Sequence, residues 1–164
     1  MGATGEPAAT AASFLRAILW GGLFSGALDI TAAFVIYGAM GLAPMRLLQG
    51  IASGLLGPRA FSGGMPAALL GFFFEFLIST GAAAVYVLAS SFLGFLTRRP
   101  WLAGPLYGIA VYWFMQLLVL PLSRYAHPRF SLEITLIGIA IHMVCVGLPI
   151  ALAARRFSAT ATTP

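Results

Sequence analysis

The sequence predicts an all-α, polytopic membrane protein with four transmembrane helices and a short interfacial or re-entrant helix between the first and second. Three observations carry this. The first is composition: 60% of the 164 residues are hydrophobic and only 8% are charged, and the mean hydropathy is +0.97. A soluble domain carries about 25% charged residues, so this chain cannot clothe a water-facing surface, and lipid must be its solvent. The second is segment length: four runs, at about 16–37, 67–93, 102–122 and 132–153, reach the roughly 20 apolar residues that a crossing helix needs. The third is periodicity. None of the four alternates with period two, and all are dense in Leu, Ala and Gly, which favours helices over barrel strands. The length allows one domain.

Residues 1–14, MGATGEPAATAASF, are small, polar and Pro/Thr/Ala-rich, and they read as a disordered tail. The apolar run after Arg16 continues to about Met40. That outlasts the 7–15-residue core of a signal peptide, so a mature span is expected. After the first span comes PMRLLQGIASGLLG, residues 44–57, apolar but too short to cross. Pro44 suits a first helical turn and Gly57-Pro58 ends it. Arg46, Gln49 and Ser53 share one face and Leu48, Ile51 and Leu55 the other, the pattern of an amphipathic helix lying in the interface. A re-entrant turn and a greasy loop are the alternatives. FSGGMP then swings the chain into the second span. Residues 157–164 form a C-terminal tail.

All nine basic residues are arginines. They are scattered in pairs and singles between apolar runs, the placement of membrane-flanking loops and not of a nucleic-acid surface. Arg16, Arg98-Arg99 and Arg155-Arg156 fall on one side; Arg46, Arg59, Arg124 and Arg129 fall on the other. The doublets sit tight against span ends, which puts both termini in the cytoplasm. Trp20, Trp101, Tyr125 and Phe130 stand where belt anchors belong. Cys145 is the sole cysteine, which excludes an internal disulfide and two-cysteine redox chemistry.

The candidate functional residues are the polar groups inside the spans. Asp29 lies in GLFSGALDITAAFVIY, on a face with Gly22, Ser25, Gly26 and Ala33. An acid at that depth is costly, and by default it marks function. Its small-residue face suits close approach by another helix. In the second span Glu75 shares a face with Gly71, Ser79 and Ala82. The third offers Gln116 with Tyr112 and Gly108, and the fourth His142 with Gly138, Cys145 and Pro149. Two carboxylates and an imidazole that meet make a proton or cation site. Asp29, Glu75 and His142 also match the ligand chemistry of a divalent metal, although no local E-x-x-H spacing supports it; no other cofactor is expected. Gln116, Tyr112, Ser79 and Cys145 would stand behind that centre. The competing account is that each polar group fixes packing by bonding a neighbouring helix. His127, in a short loop beside Arg124 and Arg129, reads as solvated. Gly22-x-x-x-Gly26 and Gly104-x-x-x-Gly108 are helix-contact motifs, within the chain or between copies. Four thin helices suggest a homo-oligomer or a host complex.

Enzyme readings lack their residues: paired aspartates for a lipoprotein signal peptidase, cysteine pairs for a vitamin-K-epoxide-reductase-like protein, and a serine motif for a rhomboid protease. Small multidrug transporters carry a glutamate in the first helix, where this chain has Asp29. An enzyme is therefore not expected. The stretches GGLFSGALDITAAFVIYG, RLLQGIASGLLG with AFSGG, LLGFFFEFLI and IHMVCVGLPIALAARR resemble an uncharacterised family of small four-helix bacterial inner-membrane proteins, across roughly Ile18 to Arg156. The resemblance implies a bacterial inner-membrane location, and a family position at Glu75 that is more often histidine. It carries no activity. The expectation that results is a small transport or proton/cation-coupled membrane protein, with a structural accessory subunit of a larger complex as the alternative.

Overall fold

The computed structural model describes residues 6–125 and 131–159. Every element in those stretches is helical, and four helices are long and apolar enough to cross a membrane: Ala11–Ala39, Gly64–Phe92, Pro100–Leu122 and Leu132–Phe157. The chain is a multi-pass membrane protein with an all-α fold. Residues 1–5, 126–130 and 160–164, and with them His127, Arg129 and Phe130, lie outside the described residues.

The first helix begins at Glu6, so residues 6–14 continue it instead of belonging to the expected tail. Alanine supplies the reason: EPAATAAS is rich in the best helix former and has no glycine. The last helix runs on to Ala159 for the same reason, through ALAARRFSA. Ser131 caps the fourth span, its Oγ accepting from the Ile134 N–H at 3.5 Å, with Glu133 in the first turn where the helix dipole favours an acid.

The first span packs between the second and the C-terminal part of the fourth, and the third lies along the fourth. The glycine motifs make these contacts inside the chain. A Cβ on Gly22 would lie 2.6 Å from Thr80 Cα in the second span, and one on Gly26 would press on Phe76 and Ser79. Gly104 and Gly108 press on Gly147 and on the His142 and Met143 backbone of the fourth span. Tyr107 ties the third span to the second by donating to the Ala82 carbonyl at 2.7 Å. Its ring meets Tyr86 edge-on at 4.9 Å, and Tyr86 donates to the Leu96 carbonyl at 2.9 Å. Around this pair Ala17, Val87, Ala103, Ile150 and Ala154 form the buried core. It occupies the half of the bundle that carries the arginine doublets.

The third and fourth spans each contain one π-helical segment, Met115–Val119 and His142–Gly147. Each stands just before a proline, Pro121 and Pro149. Proline offers no N–H and its ring crowds the carbonyl four residues back; widening the preceding turn relieves that crowding.

The short helix is Pro44–Leu56, as the sequence places it, but its facing is not that of an interfacial helix. Gln49, Ala52 and Ser53 are buried, while Met45, Leu55 and Leu56 are exposed. The polar face turns inward against the second span, where Gly71 admits the Leu48 backbone and Gln49 Nε2 donates to the Gly64 carbonyl at 3.1 Å. The Arg124 N–H donates to the Gly54 carbonyl at 2.9 Å, which pins the helix to the end of the third span. An interfacial helix would put Gln49 in water; here a protein carbonyl takes its amide N–H and the leucines are left for lipid. Arg46 lies at the edge, donating to the Phe61 carbonyl at 3.3 Å with its guanidinium over the Phe61 ring.

Candidate functional site

The depth of each polar residue follows from helix geometry. At 1.5 Å per residue, Asp29 lies about 15 Å from the Ala39 end of its span. Glu75 is about 16 Å from Gly64, Tyr112 about 15 Å from Leu122, and His142 about 15 Å from Leu132. The four spans therefore bring their polar groups to one layer near the bilayer midplane.

Within that layer the groups meet. Gly22 and Gly26 let the first span approach the second closely enough for the Asp29 and Glu75 carboxyl groups to stand side by side. Neither ionised carboxylate has a donor to offer, so the contact is attractive only when a proton sits between them. Ser79, one turn along, donates to Glu75 Oε1 at 3.4 Å. Asp29 Oδ1 is buried with no hydrogen-bond partner. An orphan acceptor of this kind calls for an account, because burying it without a donor costs about 1–3 kcal/mol.

His142 is within electrostatic range of Asp29. Its Nδ1 lies 2.9 Å from the Gly138 carbonyl. A carbonyl only accepts, so Nδ1 carries the proton, and Nε2 keeps the lone pair in the neutral ring. The ring stands edge-on to Tyr112 at 5.4 Å. Gly138 makes room for that tyrosine, since a Cβ there would lie 2.6 Å from Tyr112 Cε2. Gln116 Nε2 donates to the Tyr112 hydroxyl at 2.9 Å. A chain of neighbours thus links Glu75, Asp29, His142, Tyr112 and Gln116 across four spans.

The metal expectation fares differently. Among the described residues no three His, Cys, Asp or Glu side chains stand close enough to hold a metal ion. The two acids converge and His142 lies within electrostatic range of Asp29, but the three side chains do not gather into a cluster that could hold a metal. Cys145, expected behind the centre, lies within electrostatic range of Asp29 and also lines a shallow apolar groove with Ala32, Ile36, Ile137 and Ile141.

Tyr37 is a neighbour of the site that the sequence reading misses. It lies within electrostatic range of Asp29, Tyr112 and Tyr125, between the polar layer and the membrane surface nearest the short helix. Its spacing of two turns from Asp29 is the available signal. Tyr125, beyond the third span, is held above the ordinary tyrosine range by burial, so it stays a neutral hydroxyl at physiological pH.

No family model matches the chain, and neither does any curated protein or solved structure.

Proposed function

We propose that this protein is a small proton- or cation-coupled membrane protein whose working centre is the Asp29–Glu75 carboxyl pair. The observation that carries the reading is the buried, unpartnered Asp29 Oδ1 beside a second carboxyl group at mid-membrane depth. A pair that needs a shared proton to cohere is suited to gaining and losing one. A monovalent cation held by both ionised oxygens satisfies the same geometry. His142, with Nε2 free to accept, acts as a relay to the pair, and Tyr112 and Gln116 hold its ring. Ser79 orients Glu75. The chain sits in a bacterial inner membrane with both termini in the cytoplasm, as arginine placement favours, and it works without enzymatic chemistry, alone as a homo-oligomer or in a host complex.

The test is flux in proteoliposomes under an imposed pH gradient. Asp29→Asn and Glu75→Gln each keep a hydrogen bond across the pair but remove the exchangeable charge, and each should reduce proton-coupled flux at least tenfold while the protein stays folded. Unchanged flux in both variants sinks the proposal. A second reading has its own support: Ser79–Glu75 and His142–Gly138 are bonds within single helices, as in a packing element of an accessory subunit. That reading expects no flux from the wild type, and a host protein that co-purifies with it.

A further inference from the structure

The first and fourth spans do not close against each other along their outer edge. A groove of about 740 Å³ lies between them, walled by Trp20, Phe24, Leu28, Val144 and Leu148. Arg156 is the one charged residue among its described lining residues, and it stands at one end. Trp20 and Phe24 stack along one wall with ring centroids 5.7 Å apart. From Arg156 to Val144 the fourth span rises about 18 Å, close to the depth of one leaflet of a hydrocarbon core about 30 Å thick. Arg16, exposed and one turn before Trp20, adds a second positive charge at the same mouth. The feature therefore has hydrocarbon walls one acyl chain deep, a cationic rim at headgroup level and no acidic residue among its described lining.

We propose that this groove is a binding site for an anionic phospholipid, with the phosphate on Arg156 and one acyl chain laid between Trp20, Phe24, Leu28 and Val144. Guanidinium recognises phosphate through paired N–H donors. The acyl chain gains little by leaving bulk lipid, which is equally apolar, so selectivity rests on the arginines and on the shape of the groove. A second copy of the chain is the less suitable occupant. A two-fold interface through this groove would set the Arg16 and Arg156 rim of one protomer against the same rim of its partner. The proposal is independent of the role given to Asp29.

The experiment uses the full-length protein in a neutral detergent. It is titrated with phosphatidylglycerol and with phosphatidylcholine of matched acyl chains, and bound lipid is counted by native mass spectrometry. Phosphatidylglycerol should be held about fivefold more tightly, the equivalent of about 1 kcal/mol for one arginine at the headgroup level. Arg156→Gln should bring the ratio close to one, and Arg156→Lys, which keeps the charge without the paired donors, should recover only part of it. Arg98→Gln, on the same side but outside the groove, should leave it unchanged. Val144→Trp, at an exposed position, should block the inner end and penalise long-chain more than short-chain phosphatidylglycerol. Equal losses in Arg156→Gln and Arg98→Gln overturn the proposal, because they mean diffuse attraction. So does efficient cross-linking between copies through Phe24→Cys in a Cys145→Ala background, which puts a second protomer in the groove.

Discussion

Substituting Gly108 by alanine tests whether the third and fourth spans depend on backbone contact. A Cβ at this position would run into the His142 carbonyl and lie 2.7 Å from Met143 Cα. Carbon atoms rest about 3.5–4.0 Å apart, so the two helices must part by about 1 Å. The atoms in the way are backbone, and no rotamer change removes them. Overpacking costs about 1–3 kcal/mol where side chains can yield; here the upper end, about 3 kcal/mol, is the expectation. Separation also loosens the neighbouring Gly104–Gly147 contact. The same exchange at Gly81 is the matched control, because nothing lies within 4 Å of a Cβ there and the position is exposed in mid-helix. Alanine should stabilise that helix by about 0.5–1 kcal/mol. Reversible unfolding of both variants in bilayer-like micelles measures the difference, which should approach about 4 kcal/mol as the sum of about 3 and about 1. A Gly108→Ala protein within about 0.5 kcal/mol of wild type would falsify the claim that this crossing is set by backbone contact.

Three further outcomes follow from two individual hydrogen bonds. Gln49 is 3% exposed, with Nε2 bonded to Gly64 and Oε1 unpartnered. Gln49→Leu loses one bond and relieves one orphan, so its stability should stay within about 1 kcal/mol of wild type. Gln49→Glu puts a carboxyl group in the same buried place. Burial raises its folded-state pKa, so the variant should be near wild type below about pH 4 and lose stability as the pH rises to about 8; denaturant unfolding at both pH values reads this, and a pH-independent effect counts against burial as the cause. Tyr107→Phe removes the Ala82 bond but keeps the ring against Tyr86. Unfolding should show a loss of about 0.6–1.5 kcal/mol, and no loss would mean the bond is replaced from elsewhere.

The spans are readable because lipid imposes a composition on every residue of a crossing helix, whatever its neighbours. Asp29 and Glu75 are readable for a related reason: each stands on a face of small residues, and a small face seeks a helix. The pairing of those faces is not readable, since Gly22 meets Thr80 and Gly108 meets His142 through a helix order that no single segment encodes. Pro121 and Pro149 are the visible cues to both π segments. The amphipathic pattern of Pro44–Leu56 marks a helix with two unlike faces but not which one meets protein. That depends on Gly71 and Gly64, in a different element.

The inward-turned short helix gives the molecule an uneven outline. Near the Ala39, Gly64 and Leu122 ends five helical segments share the leaflet, with Leu55 and Leu56 facing outward. Near the Arg98 and Arg156 ends the four crossing helices are joined only by the four-residue helix Phe95–Arg98, against thirteen residues in Pro44–Leu56. Such a wedge displaces more lipid from one monolayer than from the other. In a vesicle it fits best where the crowded monolayer is the outer, stretched one, which gives the protein a built-in preference for membrane curvature of one sign.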